Sequence, residues 1–169
     1  MTDVLVYWKV YRSDTARGEC LHWHSNHRVF GDLRPGDRLW VVTSGKRLER
    51  HEERAGYLVA VWPVAHVMQN PGDDPDYPVR KFQYRVLVNA VEAIHLDQPV
   101  CIDHIIRRAA YDKDVSVGRF LRGPRRLSNE KVRQLRSAAG ADLAHKWLTG
   151  NKSMTGDDTD VVEHEGDTP

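Results

Sequence analysis

The chain has 169 residues, 40% of them hydrophobic and 29% charged. That length fits one domain, and the composition is too apolar for full disorder. No apolar run approaches the roughly 18 residues that cross a bilayer, so no membrane partner is expected. No basic region precedes an apolar one at the N-terminus, so no signal peptide is evident. Only Cys20 and Cys101 occur, which excludes a disulfide framework and makes a reducing cytoplasm the expected location.

The net charge of +1 conceals an uneven distribution. Residues 150–169 hold six acids against Lys152, which leaves 24 basic and 18 acidic residues in 1–149. Residues 107–136 carry ten Lys or Arg and three acids. A basic body with an acidic tail points to a polyanion partner for the body.

Residues 4–11 are rich in β-branched and aromatic side chains and predict a strand. A polar turn or short helix start follows at 13–18, and 20–30 reads as irregular, with three histidines and a tryptophan. Pro35 and Gly36 mark a turn before a second strand at 38–43. Residues 44–54 are charged and aperiodic and predict a loop. A third strand is expected at 56–67, with Pro63 at a bulge or edge. The prolines and glycine of 70–78 predict a loop, and 79–94 a long strand bent near Asn89.

Helical spacing of Ile102, Ile105, Ile106 and Ala109 predicts a helix over 102–111. Ser128 is the expected N-cap of another, with Leu127 and Val132 placed as a hydrophobic staple and Gly140 as its stop. Leu143 and Trp147 suit a short continuation to Gly150, and the acidic tail at 150–169 is expected to be disordered. Strands first and helices late favour an α+β fold, a small β-barrel of about five to six strands with flanking short helices.

Four groups of residues carry candidate chemistry. Cys20, His22, His24 and His27 are metal-ligand types, but no second Cys/His pair follows at finger spacing, so no metal is expected. No serine sits in a Gly-x-Ser-x-Gly elbow, and no Gly-rich phosphate loop follows a strand, so neither catalysis nor a cofactor is expected. Among the aromatics, Trp8 and Trp40 lie in apolar strands and read as core. Trp23 lies between histidines in a polar segment, which suits the wall of a concave site where a base stacks, and Trp62 is a candidate second wall. Finally, Arg119, Arg122, Arg125 and Arg126 cluster around a Gly-Pro turn and suit a nucleic-acid backbone.

The ordered set of motifs over residues 4 to about 140 resembles EVE domains, relatives of YTH and ASCH domains in the PUA-like superfold. Tyr7-Trp8-Lys9-Val10-Tyr11 is similar to their opening strand. His22-Trp23-His24-Ser25 falls where YTH domains carry a Trp-Ser pair. Leu33 to Leu39, with its Pro35-Gly36-Asp37 turn, resembles the Lys-x-Gly-Asp turn of EVE domains, and Phe82 to Val86 the strand that follows later. Arg122-Gly123-Pro124 before Leu127-Ser128-Asn129-Glu130 is similar to their closing segment. The chain departs from the family at Tyr11-Arg12, where EVE domains carry Lys-Thr, and in the long charged segment 44–54.

The resemblance implies a PUA-like barrel over 1–149 and a pocket that receives one flipped, modified base of DNA or RNA. By position, Trp23 stacks while Tyr11, Arg12 and Ser25 line the pocket. Asn26 and Ser44 are nearby polar groups able to bond a base edge. A partner nuclease or defence protein is also implied. The alternative is an ASCH-like ribonuclease or small amidohydrolase, for which Lys9, His24 and Asp14 are the nearest candidate groups. A third reading is an interaction module whose arginine face binds an acidic protein.

Overall fold

The computed structural model describes residues 1–11, 22–50, 52–107 and 115–152. The fold is α+β. Among the described residues, seven strands form one mixed sheet: β1 (Asp3–Tyr7), β2 (His22–Ser25), β3 (Arg38–Ser44), β4 (Gly56–Gln69), β5 (Tyr84–Val88), β6 (Ile94–Cys101) and β7 (Arg125–Arg126). Their order is β2-β5-β4-β3-β1-β7, with β6 on β4. Among the described residues, strand pairing does not close the sheet into a barrel.

Both faces of the sheet's centre are covered, so its strands read as continuous apolar runs. Alternation sorts their side chains. Leu5, Trp40, Val42 and Leu58 face one core, which includes Ile102, Ile105, Val117, Val132 and Leu135 from the helical segments. Val4, Val6, Trp8, Leu39, Val41 and Trp62 face the other, with Phe30, Val86 and Val88. Burying each such large apolar side chain contributes about 1.5–3 kcal/mol.

β4 is the hinge of the sheet. Its residues up to Pro63 pair with β3, while Val64–Gln69 pair with β5. Pro63 has no N–H to offer a ladder and sits where the partner changes. Its carbonyl accepts from Asn89 N at 2.8 Å. The turn before β3 has the expected chemistry. Gly36 takes φ +87°, and Asp37 accepts from the backbone N–H groups of Thr2 (2.5 Å) and Arg34 (2.9 Å).

Several boundaries differ from the sequence expectation. The first strand ends at Tyr7 rather than at 11. Residues 22–25, expected to be irregular, form β2 antiparallel to β5. The long strand at 79–94 is instead a loop up to 83, β5, and a turn near Asn89 that leads into β6. β6 was not foreseen. Residues 45–48, inside the expected loop, form a 3₁₀ turn, as do 28–30.

Helix α1 covers only Asp103–Ile106, and the rest of the expected 102–111 helix reaches residues outside the described set. A short α2 (Val117–Phe120) precedes the Gly-Pro turn. α3 (Asn129–Lys152) follows Ser128, whose Oγ accepts from Lys131 N at 3.3 Å, as its cap should. Gly140 interrupts α3 with φ 56° and ψ −138°, the stop read from the sequence. The tail from 153 onward lies outside the described residues.

Candidate functional site

An aromatic cavity of about 300 Å³ opens where β1 ends and β2 begins. That size is at the lower end for ligand pockets and suits a single ring system. Tyr7, Trp8, Lys9 and Val10 line it from the first strand's exit, His22, Trp23 and His24 from β2, and Tyr77 and Phe82 from the β4–β5 loop. Trp62 lies beneath as a fully buried floor.

The rings pack mostly edge to face. Trp62 meets Trp8 at 5.0 Å between centroids and Trp23 at 6.4 Å. The Trp62 indole donates to His95 Nε2 at 3.2 Å, which fixes the floor's orientation. Tyr77 instead stacks flat on His24, at 4.0 Å and 15°. The loop that delivers Tyr77 and Phe82 is organised by Asn70, which is buried. Its Nδ2 donates to the carbonyls of Tyr77 (2.7 Å) and Phe82 (2.9 Å), and its Oδ1 accepts from Gly72 N.

His24 is held neutral. Arg85 Nε donates to its Nε2 at 2.9 Å, so the ring's proton sits on Nδ1. Burial, then the nearby His22 and Arg85 charges, push its pKa down to about 4. His24 Nδ1 is shielded from water and has no hydrogen-bond partner among the described residues. Arg85 is itself fixed by two bonds to Asp73, at 2.6 and 3.1 Å.

A second cavity of about 160 Å³ adjoins the first, and Tyr7, Trp23 and His24 line both. Val6, Ser25, Phe30 and the segment Leu121, Arg122, Gly123 and Pro124 complete its lining. It lies between β2, at one end of the sheet's strand order, and the approach to β7, at the other.

The structure therefore brings together Trp23, Ser25 and Arg122 of the sequence-predicted site residues. Trp62, the candidate second wall, also lines the first cavity, from beneath. Tyr11 sits outside the lining, with its ring edge-on to Trp8 at 5.1 Å and its hydroxyl pKa raised by burial. Asn26 is exposed and away from both cavities. Ser44 is not a pocket wall: it is buried at the end of β3, where its Oγ accepts from Tyr7 Oη at 3.3 Å. Arg12, Asp14 and Cys20 lie outside the described residues. Trp8, read as core, is buried yet borders the pocket.

The four arginines are all exposed but not equivalent. Arg126 pairs with Asp32 at 2.7 Å. Arg125 lies over the Phe120 ring at 4.0 Å and donates to the Phe120 carbonyl. Arg119 and Arg122 have no ion pair among the described residues, which leaves their guanidinium groups available.

Sequence reasoning missed Tyr7, His22, Tyr77 and Phe82 as pocket walls. Tyr77 and Phe82 are brought in by a loop whose course the local pattern does not encode. Among the described residues, no group of three His, Cys, Asp or Glu side chains is placed to hold a metal ion. A shallower depression of about 670 Å³ contains Cys101, Asp103 and Arg107. There Arg107 is a structural group, bonded to Asp103 and to the carbonyls of Arg54 and Val115.

No protein-family model matches the chain. No curated protein matches it either. The chain overlays on the NMR structure of Rpa0253 from Rhodopseudomonas palustris, a structural genomics target, with a TM-score of 0.49 and 14% identity, over 83% of this chain and 94% of that one.

Proposed function

We infer that this chain is a non-catalytic nucleic-acid-binding module that accommodates one flipped, modified base in the aromatic cavity. The observation that carries the reading is that Tyr7, Trp23 and His24 border both cavities, so an aromatic slot adjoins the Arg122 guanidinium. A base extruded from its strand needs an apolar slot for its faces and a cation near its phosphates. Arg119 and Arg122 supply the phosphate contacts, while Arg125 and Arg126 hold the local structure. On this reading the sheet is an open PUA-like, EVE-like barrel, with the base entering beside β2. A cytoplasmic location and a partner nuclease or defence protein accompany this reading.

The enzymatic alternative has one observation in its favour: Lys9 and His24 line the same cavity. His24 is nevertheless poorly tuned for proton transfer. A general base works best with a pKa near the operating pH, and that of His24 is about 4.

The test is a titration of the full chain with matched oligonucleotides carrying plain, methylated or hydroxymethylated bases, single- and double-stranded, at fixed salt. A parallel gel monitors cleavage. Tighter binding of one modified strand without cleavage supports the reader. Cleavage that is lost in a Lys9→Met variant supports the ribonuclease alternative, and no binding to any strand refutes both the reader and the ribonuclease.

A further inference from the structure

The fixed charge in the described lining of the aromatic cavity is positive, while its His22 and Tyr77 can accept as well as donate. Lys9, at its rim, carries three N–H donors and no acceptor. The Trp23 indole can only donate, and it has no hydrogen-bond partner among the described residues. His24 Nε2, the ring's acceptor, is taken by Arg85, which leaves only the unpartnered Nδ1–H. His24 is 8% exposed and its Nδ1 is shielded from water, so that donor lies out of a ligand's reach. Tyr7 spends its hydroxyl proton on Ser44. No Asp or Glu belongs to the described lining, and Asp73 is turned to Arg85.

Such a cavity is a poor cage for a cation. Aromatic cages take methylammonium groups because ring faces attract positive charge, but Lys9 opposes that here. It is also more than an apolar slot for a methyl group, because the Lys9 ammonium then meets no anionic partner in the described lining. Its chemistry suits a ring whose edge bears acceptors, and best an anionic one, since charge-assisted bonds to a carboxylate are the strong ones.

We propose that the cavity selects an aromatic heterocycle carrying an acidic or carbonyl substituent, with a carboxylated base foremost. Trp23 covers the ring while Lys9 donates to the substituent. The proposal rests on the base-reading function above and names the class of modification it reads.

The experiment compares single-stranded oligonucleotides identical but for one cytosine, which is plain, 5-methylated or 5-carboxylated. Free 5-carboxycytidine is a separate probe. The carboxylated strand is expected to bind about fivefold tighter than the methylated one, the upper return on an ion pair at an exposed position. Lys9→Met, a change at an exposed position, is expected to erase most of that ratio. Equal or tighter binding of the methylated strand overturns the proposal while leaving the base reader standing. A carboxylate preference unchanged by both Lys9→Met and Trp23→Ala overturns it as well, because the preference then belongs to general charge. Free 5-carboxycytidine that binds as tightly as the strand supports the pocket chemistry and refutes the nucleic-acid reading.

Discussion

Arg85 Nε donates to His24 Nε2 at 2.9 Å while its terminal nitrogens grip Asp73. This bond decides which face of the imidazole is spent on the scaffold and which is left over. It also predicts how stability depends on pH. His24 has a folded pKa of about 4 against an ordinary 6.5. Between those values the unfolded chain binds a proton at His24 that the native chain does not. The stability that His24 contributes as a neutral group is therefore complete above pH 6.5 and lost as pH falls toward 4. Thermal unfolding at pH 7 and pH 4.5 checks this: the drop in Tm should be smaller in His24→Asn than in the parent. An equal drop in both assigns the pH dependence to other groups.

Asn70 should matter to the pocket from outside it. Asn70→Ala removes the donors that hold the Tyr77 and Phe82 carbonyls, at a cost of about 1–3 kcal/mol for the buried groups left unpaired. Denaturant unfolding should show that loss, and binding of the preferred strand should weaken with it. Unaltered stability would mean that the loop holds its course without Asn70.

Gly118 has no room for a side chain. A Cβ there would lie 2.7 Å from the Tyr7 ring, which borders both cavities. Gly118→Ala should therefore displace Tyr7, destabilise by about 1–3 kcal/mol as overpacking does, and reduce base discrimination. Chemical shifts of the Tyr7 ring read the displacement directly.

The two unpaired arginines should carry the salt dependence. Arg119→Ala with Arg122→Ala is expected to weaken binding to every sequence. Each lost phosphate contact should reduce the slope of log K against log salt by about 0.7–0.9. Arg126→Ala should change the slope less, because its guanidinium is shared with Asp32. A larger effect at Arg126 than at Arg122 would contradict the assignment.

The sheet's centre was legible because its rules are local. The apolar runs of β1, β3 and β4, the Pro35-Gly36 turn, Ser128 as cap and Gly140 as stop all follow from residue type and spacing. β6 carries a period-two signal over its first four residues: Ile94 and Leu96 are buried while His95 and Asp97 are exposed. β2 was hidden because histidines occupy two of its four positions, and its pairing with β5 lies some sixty residues away. The site was legible in part for the same reason. Trp23 and Arg122 stood out as a large ring in polar surroundings and a charge in a cluster. Tyr77 and Phe82 did not, because only the loop held by Asn70 carries them to His24.

The central claim is that Trp23 is the surface on which the modified base is read. Its direct test is fluorescence polarisation of labelled single strands, modified and plain, against the parent chain and Trp23→Ala at one salt concentration. Base–aromatic stacking contributes about 1–3 kcal/mol per base, so the ratio of the two affinities should collapse toward one in the variant. A ratio that survives Trp23→Ala intact would contradict the account.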